Sequence, residues 1–479
     1  MQTTIDKESS TNIIIICSTV DMAGQNIKDH LLRLREWSRL ELPPGIIEDL
    51  SEVYESGNFR IVEVNIHHIY LENIDEKLKK AGLPCDLIIF ASKHRSADGR
   101  RLLTSHFTGN PGSADFGGNP GELAKAAPFA LRSILLSMSE MVGDIDYDVS
   151  MESTHHGPSD LNVPSVYAEI GSSESEWVDT AAGDIVARAI LAVEPVKCPV
   201  AIGFGGGHYA ARQTNLIFSS DVTFGHNFPN YQIQNVDGAM FRQAVERSGA
   251  DLVYCDRKSM SSGDRKKIRD LADSSGLELL RESDIREMRG VRWDDFRIFL
   301  HKVKEHDLLG RVKFSEGIRK RLGEVALTGS GMDAMSVTTV RVDQELIKLA
   351  KSVDIAALKN VLQNSNIVYF ELEDATVSNV FFTFWKQDAE DFLTFLVNEC
   401  IKILKGRYDT EYVFDENVLY ITDDRFNPDL ARKMGVPPGP MFGKLANGES
   451  VIIDGRTIGP EMVRERTKKS FVLITQSFE

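Results

Sequence analysis

The sequence predicts an α/β fold in which a mixed, mostly parallel sheet is sandwiched by helices. Short apolar strands alternate with helical segments through the first 280 residues, and this is the order that a largely parallel sheet requires. From about residue 282 the chain changes to charged amphipathic helices and hairpin-like strands, which indicates an α+β extension. A chain of 479 residues is too long for one ordinary core, so we expect two domains, residues 1–280 and 281–479.

Apolar or alternating segments predict the strands of the first domain. These strands are expected at residues 12–18, 61–71, 85–90, 147–151, 163–170, 199–204, 251–255 and 277–280. In the second of them, His67 and His68 would face opposite sides of the sheet because side chains alternate along a strand. At most one of these two histidines is therefore expected to face a site.

Helical spacing of apolar residues and local capping signals predict the helices. In the first domain, helices are expected at residues 27–37, 121–142, 178–190, 238–248 and 263–272. Pro128 is expected to kink or delay the second helix, and Ser173 with Glu176 predicts a capping box before the third. In the second domain we expect helices at 293–309, 342–362 and 388–404, and strands at 366–373 and 412–422.

Composition limits the class of protein. A formal net charge of -16 argues against nucleic-acid binding by bulk attraction, although it leaves room for a local basic patch. The aliphatic run at residues 13–16 is too short to span a bilayer and follows a polar leader, so we expect no signal peptide and no membrane segment. Five single cysteines without a C-x-x-C pair are typical of a reducing compartment, which predicts a cytoplasmic protein.

Four loops at predicted strand ends carry groups that can do chemistry. They are STVDMAGQN at 18–26, the turn-rich stretch at 91–123, ESTHHGPSD at 152–160 and GGGHYAARQT at 205–214. Ligands usually bind outside the carboxyl ends of the strands in open α/β sheets. If the strands are parallel, these loops are expected to converge on one rim of the sheet.

Histidines dominate the predicted site. We assign catalytic roles to His94, Thr104, His106 and His208, and metal binding to Glu152, His155 and His156. Imidazole and carboxylate ligands suit zinc, which lowers the pKa of a bound water to about 7. The alternative is that these histidines orient substrate or act as bases without a metal, because no compact motif such as H-E-x-x-H is present. Strand alternation would place His155 and His156 on different faces.

A glycine run and an arginine pair are the predicted substrate-binding groups. Gly205, Gly206 and Gly207 would let the backbone approach a ligand or present amides to an oxyanion. His208, which follows them, has either a site role or a structural one in a tight turn. Arg100 and Arg101 are expected to meet phosphates, the alternative being a solvated loop face.

Several long motifs in order resemble one family. STVDMAGQNI, ASKHRSADGRRLLTSHFTGN, STHHGPSD, YAEIGSSESEW and GFGGGHYAARQTN look like the motifs of the archaeal and plant type of D-aminoacyl-tRNA deacylase, the family that includes the plant ethanol-tolerance protein. The resemblance covers residues 12–235. It implies hydrolysis of the ester between a D-amino acid and tRNA, a zinc cofactor, and a fold related to peptidyl-tRNA hydrolases and nucleoside phosphorylases.

The extension resembles something else. Residues 435–463, GVPPGPMFGKLANGESVIIDGRTIGPEMV, are similar to a segment near the end of zinc ribonucleases of the tRNA 3' processing type, whose histidine-rich motif is absent here. The second domain is therefore expected to be either structural or tRNA-contacting.

These observations predict a proofreading or detoxifying esterase that acts on aminoacylated tRNA and not at a membrane, with a monomer favoured. In this hypothesis an activated water attacks the ester carbonyl, the glycine-loop amides hold the oxyanion, and an imidazolium protonates the departing ribose oxygen. L-aminoacyl esters would be rejected because their side chain strikes the pocket wall. The alternatives are a zinc amidohydrolase or peptidase acting on small acyl substrates, and a nucleoside-binding protein of phosphorylase-like fold.

Overall fold

The computed structural model describes residues 11–42, 49–143, 145–304, 306, 310–328, 336–372, 376–472 and 476–478. Most of the polar leader, residues 1–10, lies outside these ranges. The chain divides into two compact units, Met1–Arg289 and Gly290–Glu479. None of the helices in the described ranges combines the length and the apolar character that a membrane span requires.

The first unit carries the alternating pattern that the sequence predicts. Its described strands are β1 (Ile13–Ser18), β2 (Ser38–Arg39), β3 (Leu50–Ser56), β4 (Phe59–Val64), β5 (Leu87–Lys93), β6 (Leu102–His106), β7 (Gly109–Asn110), β8 (Glu122–Leu123), β9 (Asp148–Met151), β10 (Ser165–Gly171), β11 (Val200–Phe204), β12 (Thr223–Phe228), β13 (Leu252–Cys255) and β14 (Glu278–Leu280). Its helices are α1 (Met22–Leu34), α2 (Ile74–Lys80), α3 (Pro128–Met141), α4 (Glu174–Trp177), α5 (Thr180–Leu191), α6 (Ala211–Ser219), α7 (Gly238–Ser248), α8 (Ser262–Ser274) and α9 (Glu282–Glu287). Two 3-10 turns lie at His68–Tyr70 and Asn230–Asn235.

Most of the strands form two sheets. The larger has the order β2-β3-β4-β1-β5-β10-β6-β9, and its central strands β4, β1, β5 and β10 are parallel. Strand β6 is antiparallel to β10, and β9 is parallel to β6, so the sheet is mixed. The smaller sheet, β12-β11-β13-β14, is parallel throughout. The predicted α/β class with a mixed, mostly parallel sheet is therefore confirmed.

Burial shows that the large sheet is covered on both faces. Every residue of β1 and of β10 is buried, and successive side chains of a strand point to opposite faces. Continuous burial along a strand therefore requires packing on each side, as in other sheets sandwiched by helices. The cysteines follow this pattern in part, since Cys17 is fully buried while Cys85 and Cys198 are half-buried, and all five are free.

Three local predictions for the first unit are corrected. The strand predicted at 61–71 ends at Val64, so His67 and His68 lie in a turn, where His68 is buried against Phe90 and Tyr167. The stretch predicted as one loop at 91–123 contains strand β6, which carries Thr104 and His106. The helix predicted from residue 121 begins at Pro128, as the predicted delay at this proline allows, because proline fits the first turn of a helix but not its interior.

The second unit is α+β. Its described strands are β15 (Arg311–Phe314), β16 (Thr338–Arg341), β17 (Val368–Glu371), β18 (Val377–Thr383), β19 (Asp409–Val413), β20 (Val418–Phe426), β21 (Val451–Ile453), β22 (Arg456–Ile458), β23 (Arg464–Val472) and β24 (Gln476–Phe478). Its helices are α10 (Trp293–Lys304), α11 (Glu316–Thr328), α12 (Gln344–Val353), α13 (Ile355–Gln363), α14 (Lys386–Leu404), α15 (Pro428–Lys433) and α16 (Pro440–Ala446), with 3-10 turns at Phe414–Glu416 and Pro460–Val463.

Antiparallel sheets organise the second unit. One has the order β15-β17-β18-β16-β24, another β19-β20-β23, and the hairpin β21-β22 stands apart. The single helix predicted at 342–362 is divided, because Asp354 is extended and its side chain caps α13. The 435–463 segment folds around a small core of its own, formed by Ala431, Val436, Leu445, Val451, Ile458 and Val463. Of the range predicted to be helical at 293–309, residues 305 and 307–309 lie outside the described residues.

Candidate metal and active site

Sheet register brings the first site residues together. Glu169 of β10 pairs with Thr104 of β6, and His106 pairs with Tyr167. Paired residues in an antiparallel ladder share a face, and so do residues two apart along each strand. Thr104, His106, Tyr167 and Glu169 therefore lie on one face of the large sheet.

Glu152 is the centre of the first cluster. It follows β9 and is completely buried. One carboxylate oxygen lies 3.0 Å from Nδ1 of His94, which follows β5, and the other lies 2.8 Å from Nε2 of His208, which follows β11. Three strand ends from two sheets thus place two imidazoles on one buried carboxylate.

Three further histidines pack beside this cluster. The ring of His106 lies 4.3 Å from that of His155 and 4.9 Å from that of His156, measured between centroids. The expectation that His155 and His156 face opposite sides is wrong. Strand β9 ends at Met151, and His156 adopts a left-handed φ of 47°, so the alternation of a strand does not extend to them.

Glu169 links the two clusters. Its carboxylate lies 3.4 Å from Nε2 of His106 and 3.8 Å from Nδ1 of His94, and it accepts a hydrogen bond of 3.5 Å from the Thr104 hydroxyl. Glu169 and both histidines are buried, so this carboxylate sits among imidazoles rather than in water.

Protonation states follow from this crowding. Burial disfavours a charged His94, but its contact with Glu152 and the charge of Glu169 outweigh burial and raise its pKa. Burial also opposes charge on Glu152, yet His208 and His94 hold its pKa well below the usual range. Burial and the neighbouring His106 lower the pKa of His155 well below normal and that of His156 to about 3. His155 and His156 are therefore neutral, the form of imidazole that binds metals, whereas a metal at His94 would have to displace its proton.

Among the residues that the structure describes, three groups of side chains could hold a metal ion. Within each group one ligand atom per residue lies within 4.8 Å of the others; the groups are His106, His155 and His156; His94, Glu152 and His208; and His106, Glu152 and Glu169. The predicted metal ligands Glu152, His155 and His156 are thus close together but are divided between groups.

Buried atoms without hydrogen bonds support a metal here. Both oxygens of Glu152 and Nε2 of His106 are buried and make no hydrogen bond of acceptable geometry within the described residues, although ring nitrogens lie 2.8 and 3.0 Å from the Glu152 oxygens. Burying polar atoms lowers the stability of the fold unless a hydrogen bond or a metal ion compensates their lost hydration. A cation among nitrogen and carboxylate donors would do so, so the donor set fits a metal ion.

A buried polar network fixes the loops that carry the histidines. The Asn227 side chain of β12 donates to the Ser153 hydroxyl at 2.8 Å and accepts from Gln213 at 2.9 Å, and Ser153 donates to the Gly207 carbonyl at 3.0 Å. The backbone amide of Ser153 donates to the His208 carbonyl at 2.8 Å. The network therefore connects the loop of His155 to the loop of His208.

Comparison with known proteins identifies the family. The family model for D-aminoacyl-tRNA deacylase matches residues 81–280. A D-aminoacyl-tRNA deacylase from Methanococcoides burtonii is 66% identical over 462 residues, which cover 96% of each chain. The chain belongs to the D-aminoacyl-tRNA deacylase family. The predicted family resemblance is confirmed.

Other relatives of this deacylase family differ in length. A D-aminoacyl-tRNA deacylase from Methanosarcina mazei is 53% identical over 286 residues, which are 59% of this chain and 96% of that protein. A crystal structure described as a conserved protein of unknown function is 38% identical, covers 58% of this chain and 98% of that one, and superposes with a TM-score of 0.55.

The two predicted arginines each pair with an aspartate and lie over a tyrosine ring. The guanidinium of Arg100 lies 4.2 Å over the ring of Tyr209, whose hydroxyl is 2.9 Å from Nε2 of His94. Arg100 is thus connected to the histidine cluster through one side chain. Arg101 pairs with Asp179 at 2.6 Å and lies over Tyr147, and its predicted contact with phosphate stays a prediction.

Two of the three amides of the glycine run are bonded within the protein. Gly205 and Gly206 have φ of 97° and 85°, and a methyl group on Gly205 would lie 2.9 Å from Met260 and Ser259, so glycine is needed there. Their amides already donate to the Phe228 carbonyl and the Ser259 hydroxyl, each at 2.8 Å. In this conformation the two amides are not available to an oxyanion, and the run instead positions His208.

Sequence reasoning missed Glu169 and Tyr209. Glu169 lies within a strand whose other residues are apolar or small, so a charged residue at that position was the available signal. Tyr209 adjoins His208 and had no signal of its own. Its contact with His94 arises only when the β5 and β11 loops meet.

Proposed function

We propose that this protein hydrolyses the ester between a D-amino acid and the terminal ribose of tRNA, releasing the free amino acid and tRNA as a proofreading activity. Family membership supports the substrate class. The observation that carries the chemistry is the buried Glu152 between His94 and His208, with the rings of His106, His155 and His156 packed beside it. We assign the activity to the first unit and to the cytoplasm, where aminoacylated tRNA is used.

We also propose zinc as the cofactor. Imidazole nitrogen and carboxylate oxygen are donors that zinc accepts, and the groups His94–Glu152–His208 and His106–His155–His156 would hold it. When bound, zinc lowers the pKa of a coordinated water to about 7 and supplies a hydroxide nucleophile near neutral pH.

The protein's own side chains orient the reaction and move its proton. In the hydrolysis the water oxygen bonds to the ester carbonyl carbon, the bond from that carbon to the ribose oxygen breaks, and the proton of the water ends on the ribose oxygen. The side chains of His208 and His155 are 33% and 30% exposed beside the fully buried Glu152, so whichever of the two is not a zinc ligand is placed to carry that proton. His94 is held in position between Tyr209 and Glu152.

Matched substrates test this proposal. Deacylation of D-tyrosyl-tRNA and L-tyrosyl-tRNA is measured with the purified protein, together with hydrolysis of D-tyrosine ethyl ester. We expect rapid release from D-tyrosyl-tRNA, little from the L form, and slow turnover of the small ester. Equal turnover of the small ester would favour the amidohydrolase alternative, and release of a free base from a nucleoside with phosphate would favour the phosphorylase alternative.

Chelation tests the cofactor. Removal of metal by dialysis against a chelator should abolish deacylation, and zinc should restore it. A metal-free protein that keeps its full rate would contradict the zinc proposal and leave the histidines to act alone.

A further inference from the structure

Three aromatic side chains of the first unit are unusually exposed. Tyr70 is 53% exposed, Phe116 is 67% exposed and Tyr231 is 57% exposed. We refer to these three residues as the aromatic rim. A large aromatic ring in water loses the favourable burial that such a side chain ordinarily provides, so a group of exposed rings marks a surface where something binds.

Tyr70 and Phe116 lie beside the histidine cluster. Their neighbours Ile69 and Gly117 meet at Gly157, the residue after His156. The Gly157 amide donates to the Phe116 carbonyl at 3.0 Å, and a methyl group on Gly157 would lie 2.6 Å from both the Ile69 oxygen and the Gly117 carbonyl carbon. Three loops therefore touch at one point, and two of them present an exposed ring next to the histidine loop.

Tyr231 approaches from the side of His208. The amide of its neighbour Asn230 donates to the Gly206 carbonyl at 3.0 Å, two residues before His208. The same 3-10 turn approaches the loop of Phe116, because a methyl group on Gly112 would lie 2.6 Å from the side-chain nitrogen of Asn235. Tyr231 thus belongs to the same rim as Phe116 and is anchored to the glycine loop.

We propose that the aromatic rim binds the unpaired nucleotides at the 3' end of tRNA by stacking on their bases. This inference rests on the proposed function. The scissile ester is on the last ribose, so the adjoining single-stranded bases must lie at the mouth of the site when the carbonyl reaches the histidines. Aromatic side chains bind single-stranded bases without sequence preference, because every base has a flat face.

Charge supports stacking over phosphate contacts as the main source of affinity. The chain has 55 Lys and Arg against 71 Asp and Glu, so bulk attraction to RNA is unfavourable. Arg101 pairs with Asp179 and Arg100 with Asp98, so a carboxylate already offsets the charge of each arginine. Stacking on uncharged rings requires no positive charge, so an acidic protein can bind nucleic acid in this way.

Fluorescence of 2-aminopurine tests the rim without requiring catalysis. An uncharged RNA minihelix with an unpaired CCA end, carrying 2-aminopurine in place of the terminal adenine, is titrated into the full-length protein. Stacking on an aromatic ring quenches this base, so we expect quenching by the wild-type protein. Tyr70→Ala, Phe116→Ala and Tyr231→Ala should each weaken binding by about 5- to 100-fold, and the variant that lacks the ring under the terminal base should also lose the quenching.

Conservative and remote variants complete the test. Tyr70→Phe, Phe116→Tyr and Tyr231→Phe keep a ring and should bind as the wild type does. Phe218→Ala removes an exposed ring on α6 and should also leave binding unchanged. Thermal unfolding of each variant separates local effects from misfolding.

Kinetics distinguish this inference from the proposed function. The alanine variants should raise KM for D-aminoacyl-tRNA while their rate on D-tyrosine ethyl ester stays at the wild-type value. Alanine variants that keep wild-type KM and quenching would overturn the inference, even if deacylation is confirmed. A wild-type protein that quenches the minihelix but deacylates no tRNA would overturn the proposed function and leave the rim intact.

Discussion

At the scale of single residues, Glu152 is the group on which the site depends. A buried carboxylate is tolerated only when charged or hydrogen-bonding partners compensate its lost hydration. Here the partners are imidazoles that approach its oxygens at 2.8 and 3.0 Å without aligned hydrogen bonds. This arrangement suits a cation held between the side chains better than a purely protein-based network.

Replacement of Glu152 by glutamine tests that interpretation. Glu152→Gln keeps the size of the side chain and removes its charge, so we expect bound zinc to fall and the deacylation rate to decrease by about 100-fold or more. Metal content per chain is measured by elemental analysis, and activity with D-tyrosyl-tRNA.

A second buried glutamate provides the control. Glu63 pairs with Lys28 inside the fold and touches none of the cluster histidines among the described contacts. Glu63→Gln should lower the free energy of unfolding, because it leaves a buried lysine without its partner, while metal content stays at the wild-type level. Equal metal loss in both variants would show that the effect of Glu152→Gln is only structural.

His68 allows a prediction about pH. Burial lowers its pKa from 6.5 to about 4, so the folded protein keeps it neutral while the unfolded chain takes up a proton below pH 6.5. The folded state therefore loses stability as pH falls from 6.5 to 4, by about 3 kcal/mol from this group. No further loss from His68 is expected below pH 4.

Replacement of His68 isolates this contribution. His68→Phe keeps a ring against Phe90 and Tyr167 and removes a buried nitrogen that makes no hydrogen bond to any described residue. Urea unfolding at pH 7.5 and pH 4.5 should show a smaller difference between the two pH values for the variant than for the wild type. An unchanged difference would contradict the prediction.

The site residues could be predicted from the sequence where their side chains are chemically unusual for their position. Histidines at strand ends stand out in a sequence, so His94, His106 and His208 could be selected from the order of the residues alone. Their pairing could not, because Glu152 meets His94 and His208 only through the meeting of loops from two sheets. The hydrogen bonds of the Gly205 and Gly206 amides were equally unpredictable, because their acceptors lie 23 and 53 residues further along the chain.

At the scale of elements, strand β12 supports the site without contributing a predicted residue. Asn227 connects Ser153 and Gln213, and a methyl group on Gly203 of the adjacent strand would lie 2.1 Å from its side-chain oxygen. The neighbouring strand therefore leaves room for the Asn227 side chain only because it has glycine at position 203. The Asn227 amide in turn fixes the spacing between the loops of His155 and His208.

A pair of variants on β12 tests the positioning role. Asn227→Ala leaves buried partners unsatisfied and should cost about 1–3 kcal/mol of stability. It should also weaken zinc binding by about 10- to 100-fold, because the ligands lose their fixed spacing. Zinc affinity is measured by competition with a chromophoric chelator.

Thr223→Val is the matched control for this pair. Thr223 lies on the same strand, is equally buried and donates to the Pro128 carbonyl at 2.8 Å. Its replacement should cost similar stability and leave zinc affinity unchanged. Weakened zinc binding in both variants would mean that β12 acts only through overall stability.

Elements were predictable where periodicity is strong. Helix α7 has the predicted bounds, because its spacing and flanking residues agree. Strand β6 was hidden because its five residues, LLTSH, show no alternation of apolar and polar side chains and are surrounded by polar turns. The division between α12 and α13 depends on Asp354 adopting an extended conformation, which a continuous helical pattern does not reveal.

At the scale of the whole molecule, we expect catalysis to belong to the first of the two compact units. The Methanosarcina mazei relative aligns over 286 residues, which is 96% of its length and close to the length of the first unit. We therefore expect residues 1–289 alone to fold, to bind zinc and to deacylate D-tyrosyl-tRNA with kcat within about threefold of the full chain.

Comparison of the fragment with the full chain defines the second unit. If KM for tRNA rises in the fragment, the second unit contacts tRNA; if KM is unchanged and unfolding occurs at lower temperature, it is structural. Loss of kcat in a folded fragment would contradict the assignment of catalysis to the first unit.

The meeting of two sheets at Glu152 has a further consequence. Glu152 forms an isolated bridge to Tyr209, and His94 and His208 reach its carboxylate from different sheets. A cation bound there would connect the two sheets. Its removal should therefore let the sheets separate transiently before either sheet unfolds. Deuterium uptake at the Ser153 and Thr154 amides, which donate across this seam to His208 and Asn227, should then accelerate while the amides of β1 stay protected.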